Sequence, residues 1–339
     1  MPAKGFFDAK SVLITGGSGS FGGALVAELL RSSDPKVVRL LDHDENGLWE
    51  MQSRFPAEKR LRYLLGDVRD PDRLRMACRG IDVVIHAAAL KHVHACEYNP
   101  FEAFKTNVLG TQNVIDAALD CEVGKVVLTS TDKAANPSNV MGTTKLLAEK
   151  LTVAANYYRG PHRTAFSCVR FGNVLGTRGS APLLFREQIA AGGPVTITDR
   201  RMSRFLMTLD DAVRLVLKAV GLARGGETFI LKMESAKVTD MAAVMVRSFA
   251  GGRKIRLQTT GPRPGEKLYE ELITEEEVAR AHELEDMYLL LPSMPELLPA
   301  DLKAYPGARP ARRVPYRSDR VRKISTKEIE ALFRRAGLL

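Results

Sequence analysis

The sequence predicts an α/β protein, a doubly wound parallel sheet joined to a smaller C-terminal lobe. Three observations predict it. Short apolar runs alternate with helically spaced segments from the start of the chain, a glycine-rich loop joins the first strand to the first helix, and the alternation loosens after residue 171.

Taken in order, Ser11–Thr15 is an apolar run, a helix is spaced over 24–30, and 36–41 is apolar again, which is a β-α-β unit. Further strands are expected at 62–65, 83–88, 125–130 and Ala165–Phe171, with helices over 107–119 and 144–158. Strands separated by helices pair in parallel. Beyond residue 171 come Gly172, Gly176, Gly179 and then Gly192-Gly193-Pro194, and 198–204 reads as a loop. A helix over 210–222 and a strand over 227–231 read as a return to the first sheet. Ser325-Thr326, with Glu328 at capping-box spacing, announces a last helix.

Composition narrows the classes. The 339 residues are 45% apolar, enough to bury a full core. No stretch approaches the roughly 18 apolar residues of a membrane span, and residues 1–10 lack the apolar run of a signal peptide, so a cytoplasmic protein with no membrane partner is expected. Cys78, Cys96, Cys121 and Cys168 lie far apart, which predicts reduced thiols rather than a disulfide framework. His92, His94 and Cys96 would face one way only on an extended segment and lack a fourth ligand, so no metal is expected. The net charge of +10 owes much to Arg309, Arg312, Arg313, Arg317, Arg320, Arg322 and Lys323, a stretch broken by Pro306, Pro310 and Pro315. Such a segment is a solvated strand or a subunit contact, and no nucleic acid partner is expected.

Gly16-Gly17-Ser18-Gly19-Ser20-Phe21-Gly22 leaves a predicted strand and enters a predicted helix, the context in which backbone N–H groups face a pyrophosphate. Gly16 permits the turn, Gly19 the approach of phosphates and Gly22 the packing of helix on strand. Asp42 ends the second strand, where a carboxylate bonds the adenosine ribose and repels a 2′-phosphate. His43 rather than Arg follows it, so NAD is expected over NADP. After the third strand, the Asp67 carboxylate and the Val68 amide are placed to read adenine, and Ala87 and Ala88 give a small-residue strand end beside the cofactor. The expected division is therefore a dinucleotide-binding domain of 1–171, with roughly 206–236 added, and a substrate-binding lobe and tail of 172–205 and 237–339.

Further motifs carry a family resemblance. Ser130-Thr131-Asp132-Lys133-Ala134-Ala135-Asn136-Pro137 and Met141-Gly142-Thr143-Thr144-Lys145 resemble the UDP-N-acetylglucosamine 4,6-dehydratases, which are extended short-chain dehydrogenases/reductases with a Rossmann domain. Ala88-Ala89-Leu90-Lys91-His92-Val93, Lys105-Thr106-Asn107-Val108, Arg170-Phe171-Gly172-Asn173-Val174, residues 196–206 and Arg263-Pro264-Gly265-Glu266-Lys267 extend the likeness over nearly the whole chain.

The resemblance implies that a hydride leaves sugar C4 for a tightly bound NAD, water is lost across C5 and C6, and the hydride returns to C6. The C4 ketone acidifies the C5 proton, so the protein must supply a base for C5 and an acid for the C6 oxygen. Lys133 is the implied base and Asp132 the implied acid, with a desolvated lysine expected to shed its proton. Lys145 is implied at the nicotinamide ribose, Thr131 at the C4 hydroxyl and Lys91 at cofactor or diphosphate. Met141 stands where the superfamily has tyrosine, and a thioether cannot take a proton. Asn173 and Arg204 are implied near the diphosphate, Thr196 and Thr198 near the uracil, and Arg263 and Glu266 at diphosphate and ribose.

A UDP-4-keto-6-deoxy sugar for bacterial surface glycan biosynthesis, with C5 inverted, is the implied product, and a homo-oligomer such as a hexamer the implied assembly. A nucleotide-sugar 4-epimerase and a non-catalytic NAD-binding protein are the alternatives.

Overall fold

The computed structural model describes residues 5–177, 179–295 and 301–339. Its centre is a parallel sheet of β1 (Ser11–Thr15), β2 (Val37–Asp42), β3 (Leu61–Leu65), β4 (Val83–His86), β5 (Lys125–Thr131) and β6 (Ala165–Phe171). They lie in the order β3-β2-β1-β4-β5-β6, and Thr228–Leu231 adds to β6 in parallel, as the sequence predicts. From β1 the chain winds outward through β2 to β3, then crosses back to place β4 on the other side of β1. The loops leaving β1 and β4 therefore diverge at the strands' carboxyl ends, where open α/β sheets bind ligands.

Strand residues feed both faces in turn. Val12 and Ile14 join one apolar cluster with Leu25, Leu29 and Val216, while Leu13 joins another with Leu74, Val114 and Phe166. Helices Ser20–Ser32 and Leu209–Leu222 cover the first face, and Pro71–Cys78, Gly110–Asp120 and Val140–Tyr158 the second. Helices Glu45–Arg54 and Pro71–Cys78, not predicted from the sequence, are capped by the Asp44 and Asp70 side chains.

Beyond Thr228–Leu231 the sheet continues antiparallel through Met287–Leu290, Ala281–Glu283 and Arg309–Pro310. A second core gathers Leu175, Phe185, Val195, Leu206, Met245 and Phe333 from helices Ala181–Ala190, Val238–Phe249 and Thr326–Arg335 and the strands beside them. Residues 198–204, expected to be a loop, end in a strand, Ser203–Met207. It pairs with Glu234–Lys237 and Asn173–Val174, partners too distant in sequence to leave a local signal. The last helix has the predicted capping box between Ser325 and Glu328. In the basic segment, Arg309, Arg317 and Arg322 pair with Glu283, Asp319 and Glu328, while Arg312 and Arg313 are exposed. The four cysteines are free thiols. Among the described residues no helix is long and apolar enough to cross a membrane, and no three or more His, Cys, Asp or Glu side chains converge as a metal site.

Candidate active site

The loop after β1 turns at Gly16, whose φ is 70°. A Cβ there would lie 2.8 Å from the Ala88 nitrogen, so only glycine lets the β1 and β4 loops touch. A Cβ on Gly22 would collide with the Gly16 carbonyl, which fits its predicted packing role. Helix Ser20–Ser32 starts at Gly19 with no side-chain cap, so its positive end stands at the carboxyl end of β1. Asp42 is buried at the end of β2, accepting hydrogen bonds from the Ser18 amide at 3.0 Å and hydroxyl at 2.7 Å. His43 Nδ1 stands 3.4 Å from it.

Asp67 is more constrained than expected. It accepts from the Arg69 amide and side chain, both at 2.9 Å. Burial raises its proton affinity, but Arg69 outweighs burial and holds the carboxyl below the usual range. The group predicted to meet adenine is thus already tied to a cation. Val68 is buried, and its carbonyl accepts from Asn113.

A buried polar chain fixes the β4 loop. His86 lies between the Thr15 hydroxyl at 2.7 Å and the Thr111 hydroxyl at 3.1 Å. Burial, then the charge of Lys145, pushes its pKa down to about 3, so the ring is neutral. Asn107 accepts from the Leu90 amide and donates to the Leu90 carbonyl and the Thr144 hydroxyl. The loop carrying Ala87, Ala88 and Lys91 is thereby tied to the helix carrying Met141 and Lys145.

At the end of β5 the acid and the amine meet. Asp132 is fully buried, and its Oδ1 accepts from the Thr131 hydroxyl at 2.9 Å and from Lys133 Nζ at 2.8 Å. Asp132 Oδ2 and the Ser130 hydroxyl have no hydrogen-bond partner. Lys133 Nζ also lies 3.5 Å from Glu270 Oε1, a carboxylate not singled out in the sequence. Burial favours the neutral amine, but Asp132 and Glu270 prevail and raise the Lys133 pKa. The shift runs opposite to the one expected of a desolvated lysine, because the two carboxylates outweigh burial. Lys145, by contrast, is pushed down to about 8 by burial, its ammonium donating to the Thr129 carbonyl at 2.7 Å. Met141 is buried against Cys96 and Ala103.

A cavity of about 540 Å³ opens over this group and reaches the second lobe. Thr131, Lys133, Met141, Lys145, Asn173, Thr196, Thr198, Arg204, Arg263 and Glu266 all line it, so the predicted catalytic and substrate residues converge except for Asp132, which sits behind the wall. Phe21, Ala87 and Lys91 line its cofactor end, while Gly16, Ser18, Gly19, Ser20, Gly22, Asp42, Asp67, Val68 and Ala88 lie outside its lining. Thr196 and Thr198 bond Gln188 and Met202, and Arg204 stands 3.6 Å from Glu270. The segment with His92, His94 and Cys96 is helical from Val93 to Tyr98, and only Cys96 of the three is buried.

Comparison with known proteins matches this architecture. The family described as polysaccharide biosynthesis protein matches residues 12–292. A Methanocaldococcus jannaschii protein named only as an uncharacterized membrane protein is 55% identical over 85% of this chain and 87% of its own. A Campylobacter jejuni protein named UDP-N-acetylglucosamine 4,6-dehydratase (inverting) is 45% identical over 85% and 84%. A Rickettsia canadensis protein named UDP-glucose 4-epimerase is 42% identical over 83% of each. Among solved structures, Pen from Bacillus thuringiensis superposes with a TM-score of 0.91 at 43% identity, covering 97% of this chain and 98% of its own. MoeE5, in complex with UDP-glucuronic acid and NAD, has a TM-score of 0.64 at 27% identity, covering 76% and 87%. The chain belongs to the polysaccharide biosynthesis protein family, extended short-chain dehydrogenases/reductases among which UDP-N-acetylglucosamine 4,6-dehydratases are found.

Proposed function

We propose that this protein is an NAD-dependent 4,6-dehydratase that converts UDP-N-acetylglucosamine to a UDP-4-keto-6-deoxy-N-acetylhexosamine for surface glycan biosynthesis. The observation that carries the reading is the buried Asp132–Lys133 pair at the end of β5, opening on a cavity that Arg204 also lines. An epimerase has no water to eliminate and no use for an acid and an amine side by side.

The crevice suits a dinucleotide: an uncapped helix start for the pyrophosphate, the buried Asp42 carboxylate for the ribose, and a small-residue β4 loop for close approach. Bound there, NAD supplies the acceptor for the C4 hydride and the donor for its return to C6. Lys145 holds the nicotinamide ribose from beneath. In this reading residues 1–171 with 206–236 hold the cofactor, and 172–205 with 237–339 hold the sugar nucleotide.

Thr131 receives the C4 hydroxyl and passes its proton along the 2.9 Å contact to Asp132. Asp132, now a neutral acid behind the wall, returns that proton through the Thr131 hydroxyl to the departing C6 oxygen. Lys133, as the free amine, takes the C5 proton and returns it after the hydride has reached C6. Asp132 ends as carboxylate and Lys133 as amine, so the cycle closes without Met141. Arg204, Arg263 and Asn173 face the diphosphate, Thr196 and Thr198 the uracil, and Glu266 the ribose. The relative named as inverting supports inversion at C5.

Incubation with UDP-N-acetylglucosamine tests the proposal by mass spectrometry. A product lighter by one water is expected, and proton NMR should show inversion at C5. An isobaric new sugar would favour the 4-epimerase reading, which the Rickettsia relatives support by name. No product at all would leave a non-catalytic NAD-binding protein. Lys133→Ala should bind cofactor and sugar nucleotide but cut turnover by about 100-fold or more. Sedimentation should find a homo-oligomer.

A further inference from the structure

The proposed cycle needs Lys133 as a free amine, yet Asp132 and Glu270 beside its Nζ favour the ammonium. Glu270 stands where that conflict can be resolved. It stands immediately before strand Glu271–Ile273, far along the chain, and its side chain is 4% exposed. Oε1 lies 3.5 Å from Lys133 Nζ and 3.6 Å from Arg204 Nε, so one oxygen faces both the catalytic amine and the cation assigned to the diphosphate. Oε2 is buried with no hydrogen-bond partner, on a residue that lines the cavity. The backbone is clamped: its N–H donates to the Ser318 hydroxyl at 2.9 Å, its carbonyl accepts from the Ser318 amide at 2.9 Å, and Ser318 bonds Ser203.

We propose that Glu270 is a positioning residue that readies Lys133. It holds the ammonium beside Asp132, and once a diphosphate draws Arg204 to itself, it receives the lysine's proton and frees the amine for C5. One N–H bond of the ammonium breaks and one O–H bond forms on the carboxylate, with no change in net charge. The inference rests on the reading of Arg204 as a diphosphate contact.

The charges around Glu270 support the direction. Asp132, Lys133, Arg204 and Lys267 all face it. Burial raises its proton affinity, and Lys133 and Arg204 are the nearest cations opposing that rise. Pairing Arg204 with a dianion relieves both groups, but Arg204 lies against Glu270 and is the weakest of the influences on Lys133, so the carboxylate gains more proton affinity than the amine. Neutralising both members of a buried ion pair also avoids the desolvation cost of closing the cavity over two charges.

Steady-state kinetics of the NAD-loaded enzyme with UDP-N-acetylglucosamine test this, with kcat and KM measured across pH for wild type, Glu270→Gln and Glu270→Asp. Glutamine cannot take the proton, so Lys133 must lose it to solvent. In that variant kcat should fall about 100-fold at neutral pH, climb with rising pH where the wild type is flat, and leave KM within a few-fold. Aspartate, drawn back by one methylene, should lose about tenfold and keep the wild-type profile. A Gln variant with wild-type kcat, or with a loss equal at every pH, would overturn the inference. Should the Gln variant not fold, a full wild-type rate in the Asp variant overturns it equally. A wild type that yields no product sinks the functional reading itself, and the inference with it.

Discussion

Lys133 and Lys145 carry the same ammonium group a short way apart, and the fold treats them oppositely. Two carboxylates keep Lys133 charged, whereas Lys145 meets mainly burial, which Glu149 only partly offsets, and falls to about 8. An unfolded lysine titrates near 10.5, so between about pH 8 and 10.5 the unfolded chain binds more protons than the native one. Stability from this residue therefore rises with pH across that window. Denaturant unfolding at the two ends should show the wild type gaining on Lys145→Met by up to about 1.4 kcal/mol per pH unit; parallel curves would refute the assignment. The residues legible in the sequence were those in contiguous motifs, such as Asp132-Lys133 and Gly16 to Gly22. Glu270 was not, because its meaning lies in a contact with Lys133 that only tertiary folding creates.

Elements are held in register by a few buried charges. Arg170, on β6, is 1% exposed and grips Glu149 at 3.1 and 2.7 Å and Glu277 at 2.9 and 3.0 Å. Glu149 lies on the helix that presents Met141 and Lys145, and Glu277 follows strand Glu271–Ile273, which Glu270 precedes. One guanidinium thus sets the distance between the two walls of the cavity. Arg170→Met should cost about 3–5 kcal/mol by leaving buried Glu149 without its guanidinium and Glu277 with only the more distant Arg280, read as a lower urea midpoint. A loss below about 1 kcal/mol, the scale of a surface pair, would mean the tie is dispensable. The same scale explains what the sequence concealed. β1 and β4 were readable because parallel strands covered on both faces are buried along their whole length, and the remaining strands because each still carries a short apolar run. Helix Glu45–Arg54 buries only Gly47, Leu48 and Met51, too few for a clear helical stripe, although Asp44 before it was a capping signal.

At the scale of the whole molecule, the site divides along the line between the lobes, and so should its failure. Every residue proposed to touch the dinucleotide comes from Gly16 to Lys145, and the apolar clusters beneath the crevice take no side chain from helix Thr326–Arg335. That helix gives Ile329, Leu332 and Phe333 to the second core, which supports the strands carrying Thr196 and Arg204. Burying each such side chain is worth roughly 1.5–3 kcal/mol, and a lobe this small has few others to lose. Truncation after Lys323 should therefore abolish UDP-N-acetylglucosamine binding while NAD still binds, measured by calorimetry with each ligand alone. The large sheet weighs against a clean separation, because Ala281–Glu283, Met287–Leu290 and Arg309–Pro310 extend it from the later part of the chain. All three precede the cut, so the sheet keeps its full width in the truncated protein. Loss of both ligands together would mean that the two cores unfold as one cooperative unit, and that the crevice depends on the lobe it faces.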